Sequence, residues 1–169
     1  TPGVTTIKAL EEELKIDASK IIKSIAVNVD GEIVIACIRG DRELNEVKLV
    51  KALGGVELNF ATDEELLSVG LIKGYIGTQG TQVKVIIDNE LQGADNLVMG
   101  ANKVDTHITG VSYSRDVKDF NLGDIRDITE GEVMSKDGEP VSFARGIEIG
   151  HIFALGDKYA KDLNVEFLN

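Results

Sequence analysis

Residues 24–38 read Ser-Ile-Ala-Val-Asn-Val-Asp-Gly-Glu-Ile-Val-Ile-Ala-Cys-Ile. Two apolar runs flank Asp30-Gly31, a dipeptide that favours the two-residue turn joining antiparallel strands. The stretch therefore predicts a β-hairpin and sets the chain to be built around a sheet. Cys37, the single cysteine, lies inside the second apolar run. A buried, unreactive thiol is expected there, with no disulfide and a reducing, cytoplasmic setting.

The pattern continues outward from this hairpin. Residues 5–14 place Ile7, Leu10 and Leu14 on one helical face. Asp17 is placed to cap a short helix over 18–23. Helical periodicity returns at 45–53, and 56–60 reads as a short strand. Thr62 and Glu65 form a capping box before Leu66-Leu67, and Gly70 closes that helix. A loop carrying Gly74, Gly77 and Gly80 leads to a strand at 83–87. From 94 to 146 short strands and turns are expected, at NLVMGAN, HITGVSY, DIRDI and VSFAR. The stretch 147–155, with Ile147, Ile149, Ile152, Phe153 and Leu155, predicts a buried strand, and 157–163 a last helix. Helices and strands intermix without strict alternation. The expected class is α+β, a mixed and largely antiparallel sheet or barrel surrounded by helices.

At 169 residues one domain, spanning 1–169, is the default. The chain opens on Thr-Pro-Gly without a methionine, which suggests a piece excised from a longer protein. No apolar run approaches membrane-spanning length. The net charge of −11 argues against an independent, tight grip on a nucleic-acid backbone. It leaves open a domain that handles only the end of a nucleic acid held elsewhere.

No phosphate-binding P-loop, GxGxxG after a strand, HExxH or GxSxG occurs. Two separated histidines and one cysteine do not make an ordinary zinc site. What remains is a set of polar residues in apolar or glycine-rich surroundings. Lys23 precedes the first strand, and Arg39-Gly40-Asp41 ends the second. Asn102 and His107 flank a turn, Arg115-Asp116 close a strand, and Arg145 and His151 bracket a further apolar stretch. Each is readable as an ion pair, a satisfied core group or part of a site. Arg145 and Glu148 read as structural ion-pair partners. Together these residues suggest chemistry without a metal, a cofactor or a nucleophilic triad, and they do not name the reaction.

The segments TPGVTTIKALEEEL, IKSIAV, RGDRELNEVK, GAN…H…G…RD at 100–116, DIRDITEGE at 124–132 and RGIEIGHIFALGDKY at 145–159 follow in order. They resemble the insertion, or editing, domain of bacterial prolyl-tRNA synthetases, within the YbaK-type aminoacyl-tRNA deacylases. The resemblance implies the YbaK fold and hydrolysis of mischarged Ala-tRNA(Pro) at its 3′ CCA end. It implies action in cis within a cytoplasmic, ATP-using and homodimeric proline–tRNA ligase. A freestanding deacylase for another substrate, such as Cys-tRNA(Pro), and a non-catalytic module are the alternatives.

Residue by residue, Lys23 matches the lysine implied to hold the terminal adenosine or its phosphate. Lys20 matches a second lysine one turn earlier. His151 matches a histidine implied to shape the aminoacyl pocket, as a gauge of size rather than a proton carrier. Gly74 and Gly77 lie in the loop whose backbone amides are implied to face the substrate carbonyl. Thr78 stands where a proline is usual, and Glu132 where aspartate is common; these two and Asn102 are implied to contact substrate.

The acidic charge carries its own prediction. The isolated chain is expected to bind uncharged tRNA(Pro) weakly in a filter-binding assay at physiological salt, because few cations face the backbone. Nanomolar binding would contradict this.

Overall fold

The computed structural model describes residues 1–117, 119–133 and 136–152. The chain divides into two compact units, Thr1–Thr129 and Glu130–Asn169.

The first unit is organised by the predicted hairpin. Strands β1 (Ile22–Val29) and β2 (Glu32–Arg39) pair antiparallel, with Val29 opposite Glu32. Asp30 and Gly31 both take positive φ, 50° and 92°, as this tight turn requires. A short strand β3 (Leu58–Phe60) joins the free edge of β1, also antiparallel. On the other side β4 (Lys84–Asp88) runs parallel to β2. Strand β5 (Leu97–Gly100) pairs antiparallel with β6 (His107–Val111) in a separate two-stranded sheet. Strand β7 (Phe120–Gly123) completes the main sheet beside β4, again parallel. The order β3-β1-β2-β4-β7 is thus mixed, antiparallel on one side of β2 and parallel on the other.

Strand β2 is central, and its side chains are buried on both faces. Ile35 and Cys37 face a core with Val85, Ile87, Leu97, Met99 and Tyr113. Val34, Ala36 and Ile38 face a second core with Ile86, Leu49 and Ile125. Cys37 is inaccessible, and burial pushes its thiol up to about 11. It is inert at neutral pH, as the sequence suggests.

Helices cover these faces. Helix α1 (Ile7–Leu14) is capped by Thr6, whose hydroxyl accepts from the Ala9 N–H. Helix α2 (Glu46–Leu53) starts on Asn45 and ends at Gly54 in the left-handed region. Helix α3 (Asp63–Ser68) has both halves of the expected capping box, and a short helix α4 (Tyr113–Asp116) follows β6.

Some boundaries differ from the sequence reading. The helix expected over 18–23 is a single 3-10 turn, Ala18–Lys20, and Ile22 already begins β1. Lys23 therefore lies on a strand. β-Branched Ile21 and Ile22 favour extension, and Ile21 bridges to Val98 of β5. The strand expected at 124–128 is replaced by β7 at Phe120–Gly123, and Arg126 makes only an isolated bridge to Leu44. Among the described residues of 130–152 the strand pairing is one bridge, Val133 with Pro140.

The buried strand expected at 147–155 is not found in its described part. Ile147, Ile149 and Ile152 are 91%, 99% and 99% exposed, and 141–152 carries no strand. An apolar run becomes a strand only where another edge takes its backbone hydrogen bonds, and none among the described residues does. The expected Arg145–Glu148 pair is likewise replaced: Glu148 lies 3.0 Å from His151 Nδ1. Phe153, Leu155 and the helix expected at 157–163 lie outside the described residues.

Ile35→Ala is expected to cost about 2–5 kcal/mol in urea denaturation, because the site is fully enclosed. A loss below 1 kcal/mol, roughly, would mean the central strand is not packed on both faces.

Candidate active site

Four pieces of the first unit meet at one end of β1. They are the start of α1, the first residues of β1, the 71–78 loop, and the junction of β5 with β6. They enclose a pocket of about 240 Å³ lined by Thr5, Lys23, Ser24, Gly74, Ile76 and His107, among others. That is small beside the roughly 300–1,000 Å³ of drug-sized ligand sites. Two broader hollows, of about 470 and 570 Å³, lie around Asp116 and Glu65. Neither brings a lysine, a histidine and glycine backbone together.

The loop reaches the pocket because its glycines admit close contact. Gly74 has φ +82°, and a Cβ there would sit 2.8 Å from Thr5 Cγ2. A Cβ on Gly77 would collide with the Gly100 carbonyl oxygen, and one on Gly100 with the Tyr75 backbone. Asn102 locks this approach from behind. Its Nδ2 donates to the Gly77 carbonyl at 2.6 Å, and its Oδ1 accepts from the Gly77 N–H at 3.0 Å. The Asn102 N–H itself donates to Tyr75 O at 2.8 Å.

These bonds decide which amides remain for a ligand. The Tyr75 N–H bonds Ile72, and the Gly77 N–H bonds Asn102. The Ile76 N–H between them has no protein acceptor among the described residues. Ile76 lines the pocket, whereas Gly77 does not.

Lys23 brings the positive charge. Its Nζ donates to the Arg42 carbonyl at 2.6 Å and to Glu43 Oε1 at 2.9 Å. His107, first residue of β6 and paired with Gly100, brings an imidazole. Thr1 Oγ1 lies 2.6 Å from its Nδ1, and the Tyr75 ring packs against it at 5.4 Å, tilted by 60°. Burial holds His107 below the ordinary histidine value.

Of the residues singled out in the sequence, the structure brings Lys23 and Gly74 into the pocket, with Gly77 and Asn102 directly behind them. Thr78 is buried, and its hydroxyl donates to Met99 Sδ at 3.5 Å, on the core side. Lys20 is exposed at the end of the 3-10 turn. Glu132 and His151 belong to the second unit, where the Glu132 carbonyl accepts from the Val141 N–H and His151 is exposed beside Glu148. The histidine lining this pocket is His107, which the sequence reading left at a turn. Its position seven residues after Gly100, in the GAN…H stretch, was the available signal.

Residues 1–115 match the family model of the aminoacyl-tRNA editing domain. The chain is 40% identical over 171 residues to a proline–tRNA ligase of Maridesulfovibrio salexigens, with all of this chain and 30% of the relative aligned. It is 42% identical over 171 residues to a proline–tRNA ligase of Thermotoga neapolitana, with the same coverage. The chain thus spans about 30% of the length of these curated relatives. A solved structure described as a trans-editing enzyme for prolyl tRNA synthetase superposes with a TM-score of 0.65. At 17% identity, over 75% of this chain and 83% of that one, it shows a shared fold.

The lowered His107 value sets a pH dependence. As pH falls the unfolded chain takes up this proton first, so stability falls with pH from about 6.5 downward. His107→Gln is expected to flatten the decline of melting temperature between roughly pH 7.5 and 5. Identical slopes in the two proteins would contradict a half-buried, neutral His107.

Proposed function

The chain belongs to the aminoacyl-tRNA editing domain family, and from that premise we propose that it hydrolyses the ester of mischarged Ala-tRNA(Pro). The observation that carries this reading is the pocket itself, in which Lys23, Ile76 and His107 line a space of about 240 Å³.

An aminoacyl ester is already activated, so hydrolysis needs no covalent nucleophile. Water adds to the ester carbonyl, the bond to the ribose oxygen breaks, and alanine and a free tRNA 3′ end leave. The family resemblance implies that the substrate's own ribose hydroxyl assists the water. The protein's share is positioning and charge stabilisation. The Ile76 N–H is the donor for the developing oxyanion, a role typically worth about 2.7–4 kcal/mol. Lys23 neutralises and orients the terminal adenosine phosphate. His107, packed on Tyr75, walls the acyl side of the pocket, a gauging role beside the one that the family resemblance implies for His151. This wall is expected to admit a methyl side chain and to exclude the ring of proline. A first site built for proline discriminates against smaller amino acids by only about 10–200-fold, which is why a second, smaller site is useful.

The whole chain, 1–169, is taken as one editing domain of a proline–tRNA ligase, handling the CCA end while the rest of the enzyme holds the tRNA. The net charge of −11 suits that division. Lys20 and Glu132 are assigned supporting contacts to the CCA end, and Asn102 holds the oxyanion loop.

Deacylation of Ala-, Cys- and Pro-tRNA(Pro) tests the reading. Ala-tRNA(Pro) is expected to be cleaved fastest and Pro-tRNA(Pro) spared. Lys23→Ala should lower kcat/KM by about 100-fold, as for a lost charged positioning contact. His107→Ala should narrow the gap between alanine and proline, and His151→Ala tests the gauging role that the family resemblance implies for that histidine. Preference for Cys-tRNA(Pro) would favour the alternative substrate, and no cleavage of any ester would leave a non-catalytic module.

A further inference from the structure

A dense ionic cluster lies outside the pocket, at the C-terminal ends of β2 and β4. Glu90, just past β4, receives three guanidinium groups: Arg39 at 2.8 Å, Arg42 at 2.9 Å and Arg126 at 3.1 Å. Arg42 grips it with both arms, Nη2 to Oε1 at 2.9 Å and Nε to Oε2 at 3.1 Å. This two-point fork fixes orientation as well as distance. Nη1 of the same side chain donates to Thr129 Oγ1 at 2.7 Å.

The other end of Arg42 meets Lys23, which lines the pocket. The Arg42 carbonyl oxygen is the closer of two acceptors of Lys23 Nζ, at 2.6 Å. The second, Glu43, is 78% exposed, and an exposed ion pair contributes little. It does not hold the lysine by itself. The turn carrying Arg42 is tied on both flanks, since the Gly40 N–H bonds Ile21 O and the Glu43 carbonyl accepts from Asp127, each at 2.8 Å. The fork at the guanidinium and these two flanking backbone hydrogen bonds together restrict the turn that carries the Arg42 carbonyl.

We propose that Glu90 is a positioning residue for Lys23. By clamping the Arg42 side chain, it fixes the backbone oxygen that holds the lysine ammonium in place at the start of β1, beside the pocket. Its kinetic consequence rests on the editing reading, while its structural consequence does not.

Two readouts separate these. The first is a double-mutant cycle on Ala-tRNA(Pro) deacylation with Glu90→Gln and Lys23→Ala. Glu90→Gln is expected to lower kcat about tenfold alone, and to cost nothing further once Lys23 is absent, as for residues acting through one contact. Equal losses in both backgrounds would overturn the proposal, because a merely structural role is additive. The second is the rate at which an acetyl N-hydroxysuccinimide ester labels Lys23, read by peptide mass spectrometry against exposed Lys8 and Lys51. Labelling of Lys23 is expected to rise about threefold in Glu90→Gln and in Arg42→Lys, since a hydrogen-bonded amine is masked by its acceptor. Arg42→Lys keeps the charge and loses the fork, and it decides the matter if Glu90→Gln does not fold. Unchanged labelling in a folded variant overturns the proposal. If the wild type cleaves no ester, the editing reading fails and the labelling alone decides whether Glu90 positions Lys23.

Discussion

The pocket depends on two stretches of backbone lying closer together than any side chain allows. Gly77 and Gly100 meet where a Cβ on either would collide with the other strand of chain. Asn102 then closes the contact with two hydrogen bonds to Gly77. The close approach brings the Ile76 amide and Gly74 to the end of β1, where Lys23 sits, and to the start of β6, where His107 sits. Without it the loop would stand off by at least a side chain, and the lysine, the amide and the imidazole would no longer share one small space.

The mixed sheet supplies the rigidity behind this arrangement. Strand β2 is buried on both faces and pairs antiparallel with β1 and parallel with β4. The antiparallel side carries Lys23, and the parallel side ends in Asp88 and Glu90. Asp88, nearly inaccessible, accepts from the N–H groups of Glu90 and Ile125 at 2.9 Å each. The two halves of the sheet meet at the 40–45 turn, whose Arg42 links Glu90 on one side to Lys23 on the other. The partly buried Lys23 is thereby held by groups already fixed by the fold.

What the sequence revealed is what short range determines. Asp30-Gly31, the Thr62–Glu65 capping box and the burial of Cys37 all depend on neighbours a few residues away. Strand β7 was misplaced by four residues because it is chosen by its partner β4, some 35 residues upstream in the register Val85 to Phe120. Ile147, Ile149 and Ile152 look like core only if another edge pairs with them, which periodicity cannot report. The histidines show the same division. His151 stands among isoleucines in the sequence and is exposed beside Glu148 in space. His107 stands among polar residues in the sequence, yet it lies on Tyr75 at the wall of the pocket. The roles given to Lys23, Gly74, Gly77 and Asn102 rest on the family resemblance, since a lone lysine and a glycine loop are common and do not name a role by themselves.

The central claim is that a small aminoacyl ester sits between Lys23, Ile76 and His107. The most direct measurement is amide chemical-shift mapping with a non-hydrolysable alanyl amide of 3′-amino-3′-deoxyadenosine. The account predicts that perturbations concentrate at Ile22–Ser24, Gly74–Gly77 and His107. Perturbations centred instead on the hollow around Asp116 and Asp119, with the Ile76 and His107 amides unmoved, would contradict it.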